Sequence, residues 1–202
     1  MVRPDVAGNE VLLLIDLQNG LCKGSPDPTP LSTAVDEGNV LANAAACLAA
    51  ARRAGIEVIH VRLGFDAAYA GRTNRTARFD DHEKNQRFLI GSPSADFCVE
   101  VTPEANELIV SKGSVSPFAS TALHAVLAAR GLTKLYVAGV ATHLAVESGV
   151  REAADRGFQT TVIADACAAP EPMHSHALEA TLPAFAQVVS TKDFVSLLAN
   201  RG

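Results

Sequence analysis

The sequence lacks any run of about 18 apolar residues, the minimum for a membrane-spanning helix, so no membrane association is expected. It also lacks a stripe or run of lysine and arginine, and its net charge of −5 is mild. A nucleic-acid partner therefore has no support. The first residues lack the basic segment, long apolar core and small-residue cleavage site of a signal peptide, which makes the cytoplasm the expected location. The four cysteines, Cys22, Cys47, Cys98 and Cys167, form no C-x-x-C pair, and none has a histidine at zinc-finger spacing. They read as reduced thiols. His174 and His176 lie close in sequence, but no carboxylate joins them at ligand spacing, so no metal and no cofactor are expected. No repeat, heptad pattern or dividing linker interrupts the chain, and residues 1–202 read as one domain.

What is present points to a packed α/β protein. The 202 residues are 48% hydrophobic, enough for one sizeable core. Much of that fraction is alanine and valine, which suits helices packed closely on a sheet. Short apolar runs suited to strands recur at 11–15, 57–61, 107–111, 135–138, 159–165 and 187–190. Helical patterns lie between them at 34–54, 121–129, 144–156, 171–182 and 193–199, with Gly55, Gly131 and Gly157 as stop signals. This alternation predicts a three-layer α/β/α sandwich around a six-stranded, mostly parallel, Rossmann-like sheet. From Arg62 to Ser94 the regular pattern stops. Such a long irregular segment reads as a lid that brings arginines and aromatics to a carboxylate-bearing substrate.

Three positions carry the chemistry. Asp16 ends the first strand and Lys112 ends the third, so both fall on the sheet edge where open α/β folds bind ligands. A buried Asp beside a Lys forms a coupled pair able to move a proton. The stretch Lys134 to Gly149 reads as a strand, a turn at Gly139 and a helix that Thr142 is placed to cap. Its first turn offers backbone N–H groups to an oxyanion. The best-placed nucleophile position in that turn is occupied by Ala145, which has no functional group.

Four segments carry a resemblance: LLLIDLQNGLC at 12–22, VSKGSVSPF at 110–118, AGVATHLAVES at 138–148 and ADACAA at 164–169. Together they resemble the isochorismatase-like hydrolase superfamily, also called the cysteine hydrolases, over nearly the whole length. The resemblance implies Asp16 and Lys112 as catalytic residues and a non-proline cis peptide at Val140–Ala141. Backbone N–H groups there, including those of residues 141 and 145, would face a substrate carbonyl oxygen. Gln18, Arg62, Phe65, Phe118, Thr142 and His143 are the substrate contacts expected of such a site, with Arg75 and Arg87 as further carboxylate ligands. A small-molecule substrate and a homodimer or homotetramer are implied as well. The family's amidases carry their nucleophilic cysteine at the position of Ala145. Cys22 and Cys167 match positions where family cysteines take no part in catalysis. The Asp-His-His metal motif of nicotinamidases is missing, since residues 60–66 read HVRLGFD.

Three readings follow. In the first, the chain is a hydrolase that needs no cysteine and cleaves a vinyl ether, with Asp16 as general acid and no covalent intermediate. In the second, it is a C–N hydrolase of amide or carbamoyl compounds whose nucleophile has been replaced by Ala145. In the third, it binds a small molecule without catalysis.

Overall fold

The computed structural model describes residues 8–24 and 27–200. Among the described residues, six strands form one sheet: β1 (Glu10–Ile15), β2 (Glu57–Leu63), β3 (Leu108–Lys112), β4 (Lys134–Val140), β5 (Gln159–Ala168) and β6 (Gln187–Val189). Their order is β3-β2-β1-β4-β5-β6, and every pairing is parallel. The helices are α1 (Asn19–Cys22), α2 (Pro30–Glu37), α3 (Val40–Arg53), α4 (Ala77–Lys84), α5 (Leu123–Ala129), α6 (Glu147–Asp155), α7 (Met173–His176) and α8 (Thr191–Ala199).

All six residues of β1 are buried, as a central strand covered on both faces requires. Strand alternation divides them. Leu12 and Leu14 enter the core shared with Val40, Leu48, Phe194 and Leu198 of α3 and α8. Val11, Leu13 and Ile15 enter the opposite core, with Leu123 and Leu127 of α5 and Val150 of α6. The sandwich predicted from the alternating pattern is the observed architecture.

The strand order reverses direction between β1 and β4, so the loops leaving these two strands diverge and leave a crevice at their carboxyl ends. Close backbone approach shapes that crevice. A Cβ on Gly139 would stand 2.0 Å from the carbonyl oxygen of Ile15, and its φ of 138° also excludes other residues.

Several boundaries differ from those expected. The long helix expected over 34–54 is two helices, because Asn39 adopts a left-handed φ of 49° between α2 and α3. The segment 62–94 is not wholly irregular: β2 runs on to Leu63, and α4 forms within it. Thr142 does not cap a helix; Ala141 occupies that position, and a single π-helical turn, Thr142–Val146, precedes α6. The helix expected over 171–182 starts at Met173 and tightens and widens along its length, passing into a π turn (Ala177–Thr181) and a 3-10 turn (Leu182–Ala184). The final helix starts two residues earlier than expected, because Ser190 and Asp193 form a reciprocal capping box.

Candidate active site

Asp16 follows β1 directly, with a left-handed φ of 56°, and its N–H donates to the carbonyl of Val61 at 2.8 Å. The chain thus turns sharply off the sheet at the crevice. Gln18 fixes this turn. Its amide N–H groups donate to the carbonyls of Leu63 (2.8 Å) and Ala95 (3.0 Å), and its oxygen accepts from the N–H of Leu63 at 2.8 Å. Gln18 is fully buried and stands outside the cavity wall. The expected substrate contact is instead a clamp that ties the loop after β1 to the end of β2.

Lys112 ends β3, two strands away from Asp16. Its long side chain crosses that gap, and Nζ donates to Oδ2 of Asp16 at 2.7 Å and to the carbonyl of Ser114 at 3.0 Å. Both residues are buried. The other carboxylate oxygen, Oδ1, is buried and has no hydrogen-bond partner among the described residues. Burial pushes the Asp16 carboxyl above its ordinary value, and the Lys112 ammonium offsets only part of that rise.

The wall facing this pair is the end of β4. The Val140–Ala141 peptide is cis, as the family resemblance implied. Val140, Ala141, Leu144 and Ala145 line the cavity here. Thr142 and His143 do not. Thr142 is buried and its hydroxyl bonds Nδ1 of His174 at 2.8 Å, while His143 stands half-buried outside the wall. Neither Cys22 nor Cys167 reaches the cavity. The Cys22 thiol is raised by its hydrogen bond with Cys98 and by burial, and burial pushes the Cys167 thiol up to about 12. Both are therefore protonated, weak nucleophiles.

The cavity has a volume of about 380 Å³. Its remaining wall comes from the segment that the sequence left irregular. Helix α4 and the turn after it supply Arg78, Phe79, Asp81, His82 and Arg87. Burial, and then the Arg87 guanidinium, lowers His82 to about 4, so the imidazole is neutral near pH 7. Leu21, Leu31, Leu63, Ser114 and Val115 complete the lining. Of the arginines expected to hold a carboxylate, Arg87 lines the cavity, whereas Arg62 and Arg75 do not. Arg62 instead bonds the Ser111 hydroxyl at 3.0 Å and lies over the Phe97 ring. Phe65 sits behind the wall, edge-on to Phe79, and Phe118 stacks on Phe158 in the core.

Arg78, Phe79 and His82 fall in the segment expected to act as a lid, but the sequence pattern did not single them out as site residues. The spacing of Phe79 and His82, three residues apart between charged neighbours, is the signal that one face of a short helix turns inward. Among the described residues, no group of three or more His, Cys, Asp or Glu is placed to hold a metal ion. No helix of the described residues is long and apolar enough to cross a membrane.

Residues 10–193 match the isochorismatase domain model. A ureidoacrylate amidohydrolase RutB from Methylobacterium radiotolerans is 32% identical, covering 93% of this chain and 78% of its own length. The ureidoacrylate amidohydrolase RutB of Pseudomonas syringae pv. syringae is 30% identical, with 96% and 86% covered. Among solved structures, a cysteine hydrolase from Pseudomonas syringae pv. phaseolicola superposes with a TM-score of 0.81 at 21% identity, with 99% of each chain covered, a likeness of fold. This chain belongs to the isochorismatase domain family, within the isochorismatase-like and cysteine-hydrolase superfamily of hydrolases.

Proposed function

We propose that this chain hydrolyses a C–N bond of a small, anionic carbamoyl or ureido compound, by direct attack of water rather than through an acyl-enzyme. The observation that carries this reading is the division of labour on Asp16. One oxygen is held by Lys112, the other is buried with no partner among the described residues, and Asp16 and Ala145 line the same cavity. The C–N chemistry takes first place over vinyl-ether cleavage because the relatives that align over more than nine-tenths of this chain are ureidoacrylate amidohydrolases.

In this mechanism a water occupies the space that a thiol would fill at residue 145. Asp16 takes a proton from it as its oxygen bonds to the carbamoyl carbon. Backbone N–H groups of the turn after Val140–Ala141 hold the oxyanion. The C–N bond then breaks, Asp16 returns the proton to the departing nitrogen, and an amine and a carbamic acid leave. The ammonium of Lys112 favours the ionised form of Asp16 against the burial that raises it, and the raised carboxyl makes a stronger base than an exposed aspartate. Arg78 and Arg87 at the cavity mouth hold the substrate carboxylate. A cytoplasmic homodimer or homotetramer belongs to the same reading, and light scattering tests the assembly.

One observation favours the vinyl-ether route as a second reading. A raised Asp16 with no nucleophile beside it suits a proton donor. Asp16 would protonate the vinylic carbon, water would add, and the hemiketal would collapse to pyruvate and a hydroxylated ring. Assays of the chain and of Ala145→Cys, each with an Asp16→Asn control, separate the readings. Ammonia release from ureido acids that requires Asp16, and that rises with a covalent adduct in Ala145→Cys, supports C–N hydrolysis. Vinyl-ether turnover without ureido turnover overturns it. Binding without turnover in either chain leaves a non-catalytic relative.

A further inference from the structure

The apolar side of the cavity has a construction that the hydrolytic chemistry does not require. Leu63 and Phe79 are buried in one cluster, and Leu21 and Val115 pack half-buried against it. Aromatic rings brace this cluster from behind. Phe65 lies 4.7 Å from the Tyr69 ring and 6.3 Å from that of Phe79, centroid to centroid. The single Tyr69 hydroxyl proton is shared between the carbonyls of His82 and Arg87, at 3.0 and 2.8 Å, and so pins both ends of the lid turn. Leu31, in the first turn of α2, also lines the cavity and is half-buried.

Charge and apolar surface are segregated within this cavity. Asp16 and Lys112 are buried at its base, while Arg78, Arg87 and Asp81 are exposed at its mouth. Leu21, Leu31 and Val115 on this wall are only half-buried, so a ligand that covers them gains the hydrophobic term at little cost in rearrangement. A small substrate with only polar groups, such as N-carbamoylglycine, would leave this wall wet.

We propose that Leu21, Leu31, Leu63, Phe79 and Val115 form a side-chain subsite for an apolar group on the substrate. The ligand class is a carbamoyl acid bearing a branched-aliphatic or aromatic substituent, of the N-carbamoyl-leucine or N-carbamoyl-phenylalanine type. This rests on the carbamoyl reading above. Phe79 is the specificity-determining residue, because it lines the cavity from the lid helix and belongs to the braced cluster.

Calorimetry with the full chain tests this on two ligand pairs: N-carbamoyl-leucine against N-carbamoylglycine, and N-acetyl-leucine against N-acetylglycine. Covering a leucine side chain should tighten binding roughly tenfold or more within the carbamoyl pair. In Phe79→Ala that ratio should fall below about threefold, a loss of most of the apolar term. Leu31→Thr, a half-buried surface position, gives the same test should Phe79→Ala fail to fold. Equal affinities within both pairs, a preference for glycine, or no binding by any of the four overturns the proposal. A leucine preference in both pairs, with acetyl and carbamoyl compounds bound equally well, supports the subsite and overturns the carbamoyl reading alone.

Discussion

Nζ of Lys112 lies 2.7 Å from Oδ2 of Asp16, across the intervening strand β2, and both side chains are buried. Removing one partner leaves an uncompensated buried charge. Lys112→Met should therefore lower stability by about 3–5 kcal/mol, or leave Asp16 protonated with a smaller loss. The double variant Asp16→Asn/Lys112→Met should recover most of that loss, measured by urea unfolding. Asp16→Asn alone should reduce any turnover by about 10²–10⁴-fold.

The pH profile of turnover separates acid from base. Asp16 sits above its ordinary value through burial, so its ionisation falls at a higher pH than that of a free aspartate. As a base for water it must be ionised, and kcat/KM should rise with pH through that ionisation. As a proton donor it must be protonated, and kcat/KM would fall over the same interval. His82 titrates near 4 and should contribute no limb above pH 5.

Acid stability should depend on a second, partly buried cluster, around Glu107. Burial alone would raise Glu107. Bonds from Arg52 (both 2.8 Å), from the Glu104 N–H (2.8 Å) and from His60 (2.9 Å) outweigh it and hold the carboxyl at about 2. Its folded value is depressed, so its contribution is fully present above pH 4.5 and is lost as pH falls toward 2. His60 is also depressed, chiefly by burial, and its contribution is lost as pH falls below 6.5. Glu107→Gln should cost roughly 2–3 kcal/mol at pH 7 and flatten the stability curve between pH 4.5 and 2.

Arg72 couples the lid helix to the loop beside Lys112. Its guanidinium bonds Asp80 (2.5 Å) and Glu83 (3.1 Å) of α4, and Thr73 N–H donates to the Gly113 carbonyl at 3.1 Å. A Cβ on Gly113 would meet the Gly71 carbonyl oxygen at 2.0 Å, so these segments touch backbone to backbone. Both carboxylates are substantially exposed, so Arg72→Ala should cost only about 1 kcal/mol in stability. Its larger effect should be a KM raised roughly tenfold, because Arg78, Phe79 and His82 lose their anchor. Arg72→Lys should restore little of it, since an ammonium does not span both partners.

Gln18→Leu should lose about 2–4 kcal/mol of stability by leaving the backbone groups of Leu63 and Ala95 unpaired. Gly139→Ala should lose about 4 kcal/mol or fail to fold, since its Cβ has no space beside Ile15. Thermal unfolding of each variant checks both values.

The sequence by itself determined the parallel α/β/α sandwich, because strand and helix periods alternate plainly along it. It also determined that Asp16 and Lys112 end their strands on one edge, and that no thiol stands at residue 145. Local pattern could reveal these because each depends on near neighbours in the chain. Only the tertiary structure decided which side chains meet. Gln18 looks like a ligand contact in sequence, yet its amide is consumed by Leu63 and Ala95, 45 and 77 residues away. Arg62, Phe65 and Phe118 carry suitable groups but lie outside the wall, while Arg78, Phe79 and His82 reach it from a helix too short and too polar to announce itself. The free oxygen of Asp16 is likewise a three-dimensional fact. It follows from a lysine two strands away that holds one oxygen and leaves the other buried with no partner among the described residues.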